Sequence, residues 1–166
     1  ESLRRLAAMV KTDPQNLEQR LQRVLEEQKE LEKSLEQLQA KANADLGGSL
    51  IDRAQEVAGI TLLATKIDNT DGKGLRELSD QLRDKLASGV LVLVSSQEGK
   101  VSLLVAVTKD LTGTVKAGDL IKPLAEMIGG RGGGKPELAQ AGGQTPEQIE
   151  AMLQAAPQHL ATLAGS

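Results

Sequence analysis

The 166-residue chain contains no cysteine and no phenylalanine, tyrosine or tryptophan. The first absence excludes disulfides, thiolate nucleophiles and Cys-ligated zinc, and it suits a cytoplasmic protein. The second leaves Leu, Val, Ile, Ala and Met to build any core, and it removes aromatic side chains as stacking surfaces for a base. His159 is the only histidine. With no second histidine or cysteine to join it at a metal, it is expected to be a surface or helix-end residue. No apolar run approaches the ~20 residues that span a bilayer. The opening Glu1-Ser2-Leu3-Arg4-Arg5 has neither an initiator methionine nor a signal core, as expected of a fragment cut inside a helix.

A strong charge of either sign is also lacking, since 20 Lys and Arg face 23 Asp and Glu. A surface that is basic all over, as in a nucleic-acid glove, is therefore excluded. The distribution is uneven. Residues 99–136 carry six basic and three acidic side chains, whereas residues 137–166 carry none and three. The length allows one domain with a helical extension and is too short for two full enzyme domains.

What is present begins with a heptad. Asp13-Pro14 marks a helix start, with Asp as cap and Pro at the first helical position. A short helix with Leu3, Leu6 and Val10 precedes it. From there Leu17, Leu21, Val24, Gln28, Leu31, Leu35, Leu38 and Ala42 follow alternating steps of four and three, which puts them on one seam. The opposite face mixes Glu, Arg and Lys. At ~1.5 Å per residue such a helix reaches about 50 Å, so an arm is expected. Two pairings are open for its seam: a hairpin within the chain, or a zipper between subunits whose register Gln28 helps to fix.

Gly47-Gly48-Ser49 is expected to end the arm, and a short helix with Leu50, Ile51, Ala54 and Val57 to follow. The period then changes. Ile60–Ile67 reads as a buried strand, Asp68–Gly74 as a turn, and Leu75, Leu78, Leu82 and Leu86 as one helical face ended by Gly89. Val90–Val94 and Val101–Val107 form a hairpin around Glu98-Gly99-Lys100. A helix spans Leu120–Ile128, Ala139–Ala141 is a short strand, and Thr145-Pro146 starts a last helix. Asp68, Asp71 and Gly72 make part of a calcium loop, but Leu78 stands where its last acidic ligand is required, so a turn is expected.

Seven glycines in fifteen positions fill Gly129–Gly143. Glycine lets main chain approach a partner closely, so successive N–H groups can converge on a phosphate. Gly129, Gly134 and Lys135 satisfy the P-loop spacing G-x-x-x-x-G-K. Pro136 then stands where a magnesium-binding hydroxyl is needed, and the preceding element reads as a helix rather than a strand, which excludes nucleotide hydrolysis at this segment.

Gly129-Gly-Arg-Gly-Gly-Gly-Lys-Pro136 with Ala139-Gln-Ala-Gly-Gly143, preceded by Glu98-Gly-Lys-Val-Ser-Leu103 and Val115-Lys-Ala-Gly-Asp-Leu-Ile121, resembles the C-terminal domain of bacterial alanyl-tRNA synthetases. The DHH-associated domain of DHH-type phosphoesterases is a more distant relative. The resemblance covers the whole chain. It implies a helical subdomain that helps subunits associate, and a globular subdomain that contacts the outer corner, or elbow, of tRNA(Ala) and bridges aminoacylation and editing. Those activities, with their ATP, magnesium and zinc, belong to upstream domains of the same chain in the family. The fragment is expected to have no catalytic residue, no metal and no cofactor of its own. From the motif, Gly132, Gly133, Gly134, Lys135 and Gln140 are the candidate RNA contacts; from charge, Lys116, Lys122 and Arg131 join them.

The expected fold is α/β (α+β): a coiled-coil helical arm over residues 1–48, then a small mixed-sheet, glycine-rich globular domain over residues 49–166. The dimer seam is Leu17, Leu21, Val24, Gln28, Leu31, Leu35 and Leu38. Three functions stay open: an RNA-binding bridging module, a purely structural dimerisation module without appreciable RNA binding, and a phosphoesterase substrate domain. The heptad arm and the single histidine disfavour the third. On the structural alternative for the glycines, they permit a tight crossing over the sheet while Gln140 ties down their backbone.

Overall fold

The computed structural model describes residues 1–165, and the side chains of residues 43–48 lie outside the described set. The chain divides into two compact units, Glu1–Asn43 and Ala44–Ser166.

In the first unit, α1 (Ser2–Met9) is followed by extended backbone at Asp13 and a 3-10 turn at Pro14–Asn16 that leads into α2 (Leu17–Ile51). Pro14 takes the initiating position, but the Asp13 carboxylate makes no cap hydrogen bond. The Asp13 carbonyl instead accepts from the Asn16 N–H at 3.0 Å, so backbone does the work assigned to the side chain. The Arg20 guanidinium donates from Nε to the Val10 carbonyl at 3.1 Å, and Ala7 and Leu17 are buried. Beyond Leu17 the seam is open in a single copy. Leu21, Leu31, Leu35 and Leu38 are exposed, Leu31 at 71%, and Leu25 beside them is exposed as well. Gln28 donates to Glu32 on its own helix at 3.1 Å.

The expected break at Gly47-Gly48 falls outside the described residues. The separate helix expected to reach Val57 is not formed. The N–H groups of Arg53 and Ala54 close the end of α2 on the carbonyls of Leu50 and Ile51, and Gln55–Val57 is an edge strand, β1. Ala58 and Gly59, with φ of 51° and 79°, make the tight turn that pairs β1 with β2 (Ile60–Lys66).

The second unit holds one six-stranded mixed sheet in the order β1-β2-β3-β4-β6-β5. Its remaining strands are β3 (Val90–Gln97), β4 (Lys100–Val107), β5 (Arg131–Gly134) and β6 (Leu138–Gly143). β2 and β3 are parallel, joined through α3 (Gly72–Leu86), and every other pairing is antiparallel. Alternation sorts the strand residues between two cores. Leu63, Leu91, Leu93, Leu104 and Ala106 pack with Leu75, Leu78 and Leu82 of α3. Leu62, Val92, Val94, Leu103 and Val105 pack with Leu120, Ile121 and Leu124 of α4 (Ala117–Met127) and Met152, Ala156 and Leu160 of α5 (Ile149–Ala164). Both faces of the central strands are covered, which is why β3 reads as an unbroken apolar run. Each fully buried Leu or Val in these layers contributes about 1.5–3 kcal/mol.

The helix ends are set locally. The Asp71 carboxylate accepts from the Gly74 N–H at 2.9 Å and caps α3. The residue that ends α3 with positive φ is Ala87, at 59°, rather than the expected Gly89. Gly89 is glycine for space: a Cβ there would lie 2.2 Å from Leu86 Cδ2 and 2.8 Å from the Thr61 carbonyl oxygen. Thr145 makes no side-chain cap; a 3-10 turn at Pro146–Gln148 starts the last helix, with the Gln148 N–H donating to the Thr145 carbonyl at 3.1 Å. No helix among the described residues is long and apolar enough to cross a membrane.

Candidate nucleic-acid interface

The glycine segment is a strand, not the loop its composition suggests. β5 is laid down on β6 in the register Arg131↔Gly142, Gly132↔Ala141, Gly133↔Gln140 and Gly134↔Ala139. Two of its glycines are demanded by that pairing. A Cβ at Gly132 would sit 2.3 Å from Ala141 Cβ, and one at Gly134 would sit 2.4 Å from the Leu138 carbonyl oxygen.

Lys135–Leu138 closes the hairpin, with the Lys135 N–H donating to the Leu138 carbonyl at 2.9 Å. The tip is tied down twice. The Pro136 carbonyl accepts from the Ala117 N–H at 2.8 Å, at the first residue of α4, and the Glu137 carbonyl accepts from the Val107 N–H at 2.9 Å, at the last residue of β4. These bonds hold the α4 N-terminus against the β5 main chain, where a Cβ on Gly118 would come 3.1 Å from the Gly134 carbonyl oxygen.

Between them lies a groove of about 150 Å³ lined by Lys116, Gly118, Asp119, Lys122, Gly133, Gly134 and Pro136. Four of the eight candidate RNA contacts, Lys116, Lys122, Gly133 and Gly134, therefore meet at one place although 18 positions separate the ends of this set. Lys122 is held 3.7 Å from Asp119 on the same helix face. Lys116 is exposed and makes no ion pair among the described residues, and the same is true of Arg131 and Lys135. Lys135 stands on the hairpin turn next to the groove wall. Arg131 shares the α3-facing side of β5 with Gly133, by alternation.

Gln140 does not tie down the glycine backbone. Its Nε2 donates to the Gly72 carbonyl at 3.2 Å, linking β6 to the first turn of α3. The cause is register: Gln140 pairs with Leu104, whose side chain belongs to the α3-side core. Sequence reasoning did not single out Gly118 and Asp119, although both stand in the Val115–Ile121 motif; their place in the wall comes from the hairpin tip and has no periodic signal. Asp71 is occupied as the α3 cap, and Asp68 pairs with Lys66 at 3.7 Å, which makes this segment a turn. Among the described residues no group of three His, Cys, Asp or Glu could hold a metal ion. His159 is half-buried on α5.

One carboxyl outside the groove is perturbed. The Ser88 and Thr108 hydroxyls beside Asp110 hold its carboxyl below the ordinary 3.8, and the Thr108 hydroxyl also accepts from the buried Gly89 N–H at 3.0 Å.

Relatives carry the same stretch of sequence. The chain is 49% identical over 158 residues to an alanine-tRNA ligase of Magnetococcus marinus, covering 95% of this chain and 18% of that protein. It is 50% identical over 143 residues to an alanine-tRNA ligase of Pseudomonas entomophila, covering 86% of this chain and 16% of that protein. The chain thus spans less than a fifth of the length of these relatives. Among solved structures, the C-Ala domain from Aquifex aeolicus alanyl-tRNA synthetase superposes with a TM-score of 0.62 at 26% identity, over 65% of this chain and 97% of that one. The DHHA1 domain model matches residues 59–162, which take in the sheet from β2 onward, the groove and α5, and the chain belongs to that domain family.

Proposed function

We propose that this chain is the C-terminal, non-catalytic module of an alanine-tRNA ligase, and that its globular unit binds tRNA(Ala) at the outer corner through the groove between α4 and β5. One observation carries the proposal: Lys116, Lys122, Gly133 and Gly134 converge on a single groove, with Lys135 on the hairpin turn next to it and Arg131 on the α3-facing side of the same strand. Mobile cations next to exposed main chain suit phosphate and ribose, which position an RNA without reading its sequence. In this role the module needs no cofactor; the ATP, magnesium and zinc chemistry belongs to upstream domains of the full ligase, which acts in the cytoplasm.

The test is binding of the chain to full-length tRNA(Ala) and to an acceptor minihelix without the corner, across several salt concentrations. The expected result is tighter binding of full-length tRNA, weakening as salt rises. Replacing Lys116, Arg131 and Lys135 with Gln is expected to lower the salt slope by about one per residue. Equal or undetectable binding of the two RNAs overturns the proposal.

A second role rests on a different observation, the exposed leucine seam of α2. Two copies pairing through Leu21, Val24, Leu31, Leu35 and Leu38 would form a coiled coil and join two RNA-binding units, raising effective concentration without new RNA contacts. Sedimentation is expected to show a concentration-dependent dimer that is lost in a Leu31→Gln, Leu35→Gln variant; a monomer at all concentrations removes this role.

A further inference from the structure

We draw no further inference here: the strongest candidate, the apolar surface patch that Leu3, Leu6 and Met9 leave exposed on α1, carries nothing because nothing in the structure shows what covers it.

Discussion

Gly132 and Gly133 are neighbours in one strand, yet a methyl group added to each should act in opposite directions. At Gly132 the new Cβ would meet Ala141 Cβ at 2.3 Å, the Gln140 carbonyl oxygen at 2.7 Å and Ala141 Cα at 2.8 Å. Two of these three atoms are main chain, so no rotamer change relieves the overlap and β5 must move off β6. Overpacking costs about 1–3 kcal/mol, and a backbone obstacle places Gly132→Ala at about 3 kcal/mol. Gly133→Ala meets nothing, and by restricting the unfolded chain it should gain about 0.5 kcal/mol. At ~2.1 cal/mol/K per residue, the roughly 120 residues of the globular unit have an unfolding entropy near 0.25 kcal/mol/K. The expected shifts are a fall of about 10 °C for Gly132→Ala and a rise of about 2 °C for Gly133→Ala. With no Trp or Tyr in the chain, intrinsic fluorescence is blind to the transition, so calorimetry or far-ultraviolet circular dichroism is the assay. Melting temperatures within about 3 °C of each other would refute the tight β5–β6 packing on which the distinction depends.

Thr108→Val removes the acceptor of the buried Gly89 N–H and should destabilise the globular unit by about 1–2 kcal/mol, with faster amide exchange at Gly89; unchanged exchange would show that this bond does not hold in solution. Ser88→Ala takes away the main cause of the low Asp110 pKa, so the carboxyl should titrate closer to 3.8 in NMR. The sign follows from the depressed folded value: the stabilisation is present above the unfolded pKa of 3.8 and is lost as pH falls below it through the folded pKa, so the wild-type advantage over Ser88→Ala should vanish in stronger acid.

The central elements were legible because their periods differ. Leu75, Leu78 and Leu82 mark a helical face, while the short, valine-rich Val90–Val94 run after Gly89 reads as a strand covered on both sides. The Glu98-Gly99 turn was equally plain, and its φ values of 51° and 79° match the positive φ that such a turn demands. β1 was missed because three residues, Gln55–Val57, are too few to show a period, and its turn at Ala58-Gly59 lacks the usual Asn or Asp. β5 was missed for a different reason: glycines have no hydrophobic alternation, so the strand is imposed by the β6 register. At the groove, charge picked out Lys116 and Lys122, and the motif picked out Gly133 and Gly134. The reading in which Gln140 ties down the glycine backbone fails, because its partner is the Gly72 carbonyl 68 positions away at the start of α3, a contact that only the sheet order creates. The seam of α2 was visible as a pattern, and a single chain leaves it uncovered.

The sheet order also sets a schedule for synthesis. β6 lies between β4 and β5, yet it leaves the ribosome after both, so β4 keeps an unpaired edge until residues 138–143 have emerged. That edge is Val101–Val107, whose apolar side chains make it a strong template for pairing with another chain. A nascent or truncated chain that ends between α4 and β6 is therefore at its most aggregation-prone, and β6 acts in effect as a built-in chaperone for the strand made before it.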